Sequence, residues 1–181
     1  MASLLLFLPC ALIAQGIYTG LVGMISATTI KTCSIIKTVY NLKNPNVIKI
    51  VQEMDLETRL RIIQTVINKI NTISKPKLVH FKLNDVEKTQ IFELIGTESI
   101  DLSKDPIEVC LESIHEVIQF IHNDLNIIYS KINLHQTKWF HKWRSMNTKD
   151  LTKDLEIHST LLNSRFDNLV KVATFLNHKV G

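Results

Sequence analysis

The chain has 181 residues, 45% of them hydrophobic, with only 5 Gly and 4 Pro, which is enough to bury a core and excludes a low-complexity or collagen-like polymer. Its 21 basic and 17 acidic residues leave a net charge of +4, and +3 of that comes from Lys31, Lys37 and Lys43 in an acid-free first 43 residues. The rest is nearly neutral, which makes it a poor nucleic-acid binder by bulk electrostatics. Three cysteines (Cys10, Cys33 and Cys110) are odd in number and far apart, so they form neither a disulfide framework nor a zinc pattern and favour a reducing compartment.

Residues 2–30 contain no Asp, Glu, Lys, Arg or His. That stretch exceeds the roughly 20 apolar residues a helix needs to cross a bilayer. Gly16, Gly20, Gly23 and Ala27 are spaced by 4, 3 and 4, which puts them on one helix face and offers a close-packing surface of the small-residue kind. Lys31, Lys37 and Lys43 follow as positive-inside flanks. Thr19, Ser26, Thr28 and Thr29 dilute the hydrophobicity, so a helix buried inside a protein assembly is the competing reading. A cleaved signal peptide fits less well, because no positive region precedes the Leu-rich run. Ile30, Ile35, Ile36, Val39 and Tyr40 allow one long helix over 12–42.

Asn44-Pro45 reads as an N-cap with Pro at the first helical position, opening a short helix to about Glu53. Asp55 caps a second, in which Leu56, Leu60, Ile63, Ile67 and Ile70 form one face and Lys75-Pro76-Lys77 marks the end. Two short strands are expected near 78–83 and 99–103. Between them Asn84 and Glu87 make a capping box and Gly96 a C-terminal stop, framing the helix DVEKTQIFELI.

The strongest pattern begins at Asp105-Pro106. Ile107, Ile114, Ile121 and Ile128 recur every seven residues, and Leu111, Ile118, Leu125 and Ile132 do the same, offset by four. That is an a/d heptad stripe. Leu155, Leu162, Leu169 and Leu176 form a second stripe, with Leu151, His158, Arg165 and Val172 at its partner positions. A short connection between two long helices makes them antiparallel neighbours. The expected fold is therefore mainly α, a helical bundle built on a long antiparallel hairpin (about 106–136 and 149–178). The Asp55 helix packs on it as a third member, and residues 1–43 form a separate apolar helix beside a bundle domain at 44–181.

Chemistry is sparse. Glu112-x-x-His115 matches half of a di-iron helix motif, and Asp154 with His158 is the nearest second half, but no further inward acids complete a site, and Glu112 and His115, flanking Ile114, are expected to face solvent. No nucleophile–base constellation, Gly-rich phosphate loop or zinc pattern is present, so no catalytic, metal or cofactor residue is assigned and no enzyme activity is expected. The segment 131–144 holds Lys138, Trp139, Phe140, Lys142, Trp143 and Arg144 with no acid. Aromatics interleaved with bases suit a protein interface, a lipid headgroup boundary or stacked bases. Equally, Trp139 can continue the heptad and close the open end of the core.

The stretches DLETRLRIIQTVINKI (Asp55–Ile70) and TKWFHKWRS (Thr137–Ser145) resemble uncharacterised helical proteins of large nucleocytoplasmic DNA viruses. The abundance of Ile, Lys and Asn suits an AT-rich genome. The resemblance carries no functional residues and implies a virion or viral-membrane component. The expected function is that of a structural or interaction protein, membrane-anchored or embedded in a larger assembly, such as a minor virion component. Its partners would be a lipid membrane, other proteins or copies of itself, with residues 44–181 on the reducing side. A membrane-active effector and a soluble oligomeric scaffold with the first helix buried between subunits remain the alternatives.

Overall fold

The computed structural model describes residues 10–42, 44–77, 83–96, 103–137 and 148–180. They form six helices: α1 (Cys10–Asn41), α2 (Pro45–Glu53), α3 (Leu56–Lys77), α4 (Asp85–Ile95), α5 (Pro106–Gln136) and α6 (Thr148–Val180). The fold is mainly α, as the periodicities require. Residues 78–82 and 97–102, which hold most of the two expected strands, lie outside the described residues, and no strand occurs within them.

Local signals set most of the boundaries. The Asn44 side chain accepts from the Val47 N–H ahead of Pro45. Asn84 and Glu87 close a reciprocal capping box, at 2.8 Å from Glu87 N to Asn84 Oδ1 and 3.1 Å from Asn84 N to Glu87 Oε2. Gly96 ends α4 at φ 67°, a left-handed conformation that glycine adopts without a Cβ penalty. Asp105 accepts from Ile107 N–H at 2.8 Å at the head of α5. Asp55 departs from the expected extended N-cap: its φ is 48°, so α2 turns into α3 through a single left-handed residue whose carbonyl already accepts from Arg59 N–H. Aspartate is among the few side chains that visit this region readily.

The eight heptad positions of α5 are all buried, as are Leu155, Leu162, Leu169 and Leu176 of α6. The two helices run antiparallel, since His158 meets Asp124 while Arg165, farther along α6, lies within electrostatic reach of Cys110, near the start of α5. At 31 residues, α5 is about 46 Å long.

The third member differs from expectation. The long open side of α5 is filled by α1, and α3 packs chiefly on α1, touching the hairpin mainly at α6. From Val22 onward α1 is thus part of the same core, through Val22, Ile25, Ile36 and Val39. The cause is the breadth of the α5 stripe: besides its a and d positions it buries Cys110, His115 and Val117, so it accommodates a helix on each side.

Candidate functional site: the two faces of the first helix

Helix α1 has α3 and α5 as its main neighbours. Its core stripe (Val22, Ile25, Thr29, Thr32, Ile36 and Val39) steps by 3 and 4 and is buried throughout. One flank faces α3: Gln64 Nε2 donates to Ser26 Oγ at 2.6 Å and to Asn68 Oδ1 at 3.0 Å. Farther along that flank, burial and the Glu57 carboxylate push the Cys33 thiol above its ordinary value, and burial with Glu57 and Asp55 does the same to Tyr40. The other flank faces α5. Thr28 donates to the Met24 carbonyl at 2.9 Å, and its oxygen also lies 3.2 Å from His115 Nε2, a nitrogen that Gln119 Nε2 approaches to 3.4 Å from within α5. Near the far end of both helices, Gln136 Nε2 donates to Leu42 O at 2.8 Å.

The remaining face is uncovered. Gly20, Gly23 and Ala27 are exposed, as are Met24 at 51% and Ile30 at 70%. A Cβ built on Gly20 or Gly23 meets nothing within 4 Å. Gly20, Gly23 and Ala27 thus lie on the exposed side of α1, with Gly16 on the same helix, and no side chain lies within 4 Å of a Cβ at either described glycine. Thr19–Asn41 is long and apolar enough to cross a membrane by length and composition, and 28% of its most apolar stretch is buried. The uncharged part of the helix, Cys10 through Ile30, rises about 31 Å, the thickness of a bilayer's hydrocarbon core.

Other sequence candidates are redistributed. Glu112 turns outward to Lys104 Nζ at 2.8 Å, whereas His115 points inward and is only 8% exposed, contrary to its expected solvent position. The two do not share a ligand direction. Asp154 is exposed, and His158 pairs instead with Asp124 at 2.6 Å while stacking on Phe120. Among the described residues no group of three or more His, Cys, Asp or Glu could hold a metal ion. Lys138, Trp139, Phe140, Lys142, Trp143 and Arg144 lie outside the described residues.

Sequence reading missed the α1 seams. Their signal is a polar series at seven-residue intervals on α5, His115, His122, Tyr129 and Gln136, whose first member meets Thr28 of α1 and whose last bonds Leu42, the residue after α1. Thr29 Oγ1, Gln64 Oε1 and His122 Nδ1 are buried along these seams without a hydrogen-bond partner.

These features define a helical bundle in which one member is an uncharged helix with an open, small-residue outer face. The chain belongs to the family of the uncharacterised protein L717 of Acanthamoeba polyphaga mimivirus, to which it is 46% identical over 177 residues, covering 97% of this chain and 85% of that protein. It is thus a helical protein of the nucleocytoplasmic large DNA viruses. No family model and no solved structure matches it.

Proposed function

We propose that this viral protein is a non-enzymatic, membrane-associating structural component, with α1 as its lipid-contacting element and the α2–α6 bundle as the body it attaches. The observation that carries this reading is the uncharged 21-residue run of α1 ending in an uncovered face at Gly20, Gly23, Met24, Ala27 and Ile30. A surface helix of a water-soluble bundle ordinarily turns charged side chains to solvent. Here the first charge comes only at Lys31. The virion membrane is the location this reading favours.

Membrane fractionation tests it. The intact chain is expected to pellet with membranes and to resist alkaline carbonate. Removal of residues 2–18, which leaves Val22, Ile25 and both seams in place, is expected to release the bundle to the soluble fraction. An intact chain that stays in the soluble fraction when membranes are present overturns the proposal.

A second reading is favoured by the seams, where Ser26 and Thr28 find protein partners. A helix so accommodated suits a soluble scaffold whose outer α1 face is covered by another subunit. A defined oligomer in detergent-free buffer, dispersed by Gly20→Leu with Gly23→Leu, is its signature.

A further inference from the structure

The seams of α1 fix its axial register. Ser26 meets Gln64, Cys33 lies near Arg61 and Glu57, and Tyr40 lies near Glu57 and Asp55, so α1 and α3 run antiparallel. Thr28 meets His115 and Leu42 meets Gln136, so α1 and α5 run parallel. Extending these pairings along straight helices puts Lys69 level with about residue 21 of α1 and Pro106 with about residue 19. Docked α1 therefore carries Lys69 of α3 and Glu108, Glu112 and His115 of α5 alongside its uncharged run. A bilayer surrounding Cys10–Ile30 in that state would have to take in these ionisable groups, which hydrocarbon excludes strongly.

We infer that α1 is a releasable helix with two mutually exclusive positions, docked between α3 and α5 or inserted in a bilayer, so that membrane entry requires its detachment from the bundle. The inference rests on the membrane reading of α1 given above. The chemistry of the seams suits release. Thr28 and Thr32 already donate to the carbonyls four residues back, at 2.9 Å and 2.8 Å, so α1 takes its own hydroxyls into lipid satisfied. The docked position in turn leaves Thr29 Oγ1, Gln64 Oε1 and His122 Nδ1 unmatched, whereas Asp124 and His158 match each other across the α5–α6 seam. After release, Lys31 and Lys37 stand at the headgroup level and the Leu42–Asn44 segment links the inserted helix to α2.

A covalent lock tests this. In a chain with Cys10, Cys33 and Cys110 changed to Ala, Ser26→Cys and Gln64→Cys are bridged by dibromobimane, whose fluorescence reports the bridge. Insertion into phosphatidylcholine–phosphatidylserine vesicles is read as carbonate-resistant flotation. The bridged protein is expected to insert about tenfold less than the unbridged one. Equal insertion overturns the two-position inference while leaving the membrane reading intact. Failure of the unbridged and the unmutated chain to float overturns the membrane reading and the inference with it. A second measurement needs no mutation: on vesicle binding the α5 amides beside α1, near His115–His122, are expected to lose hydrogen-exchange protection. Retained protection in the floated protein is incompatible with detachment.

Discussion

His158 Nδ1 lies 2.6 Å from Asp124 Oδ2, and the same imidazole stacks on Phe120 with ring centroids 5.1 Å apart. The contact ties the middle of α6 to α5 where the α6 stripe turns polar. Both side chains are largely shielded, at 25% and 13% exposure, so salt screens the contact less than it screens one between fully exposed groups. Asp124→Ala is expected to cost about 1 kcal/mol in urea unfolding, and a cycle with His158→Ala to show coupling of about 0.5–1 kcal/mol. Strict additivity of the two substitutions would mean that the contact does not hold the hairpin.

The hairpin was legible because its signal is redundant. Isoleucine or leucine stands at every a and d position of α5, and each is buried where the period puts it. Asn84, Gly96 and Asp105 were legible for a different reason, because a cap is a local bond between neighbours in sequence. The place of α1 was hidden by its lack of charge. With no charged residue before Lys31 to mark a solvent side, Ile25 and Ile30 look alike in sequence, although one is fully buried and the other 70% exposed. His115 was misplaced for a related reason: a histidine beside the a/d stripe faces water only when nothing packs on that flank, and here Thr28 of α1 does. The aromatic and basic residues at 138–144 are unmistakable in the sequence but lie outside the described residues.

That difference between two isoleucines can be measured. Ile25→Ala removes a fully buried side chain from the α1 core stripe and is expected to cost about 3 kcal/mol in detergent-free unfolding. Ile30→Ala, on the open face, is expected to change stability by less than about 0.5 kcal/mol. Scored by membrane pelleting the two should become alike, because both isoleucines contact lipid once α1 has left the bundle. Equal stability effects would count against the docked position of α1.

Alanine in place of glycine should act with opposite signs at the two kinds of site. Gly20 and Gly23 sit mid-helix with open space beyond the Cα, so Gly20→Ala and Gly23→Ala are each expected to stabilise the bundle by about 0.5–1 kcal/mol through helix propensity. Gly96→Ala must hold φ 67° with a Cβ and is expected to destabilise it by about 1 kcal/mol, although it too has space around it. Thermal melting of the three variants in detergent-free buffer decides the matter. A loss of stability at Gly20 or Gly23 would reveal that a partner already packs on the outer face.

Alkaline pH should loosen the bundle at the α5–α6 seam. Burial pushes the Cys110 thiol from its ordinary 9.0 up to about 11, with Arg165 partly opposing the shift. Below pH 9 the thiol is protonated in both folded and unfolded chains, and its contribution to stability is constant. Between about 9 and 11 the unfolded chain loses the proton while the folded one keeps it, so stability falls by ~1.4 kcal/mol per pH unit from this group, until the folded thiol ionises too. Cys110→Ala is expected to flatten that slope by the same amount in urea titrations repeated across pH, whatever it costs in packing at pH 7. The same burial makes Cys110 slow toward thiol reagents at pH 8, and half-buried Cys33 on α1 should react before it. A slope unchanged by the substitution would show that the thiol is as ionisable in the folded bundle as in the unfolded chain, and that the packing of α6 over Cys110 is looser than the structure shows.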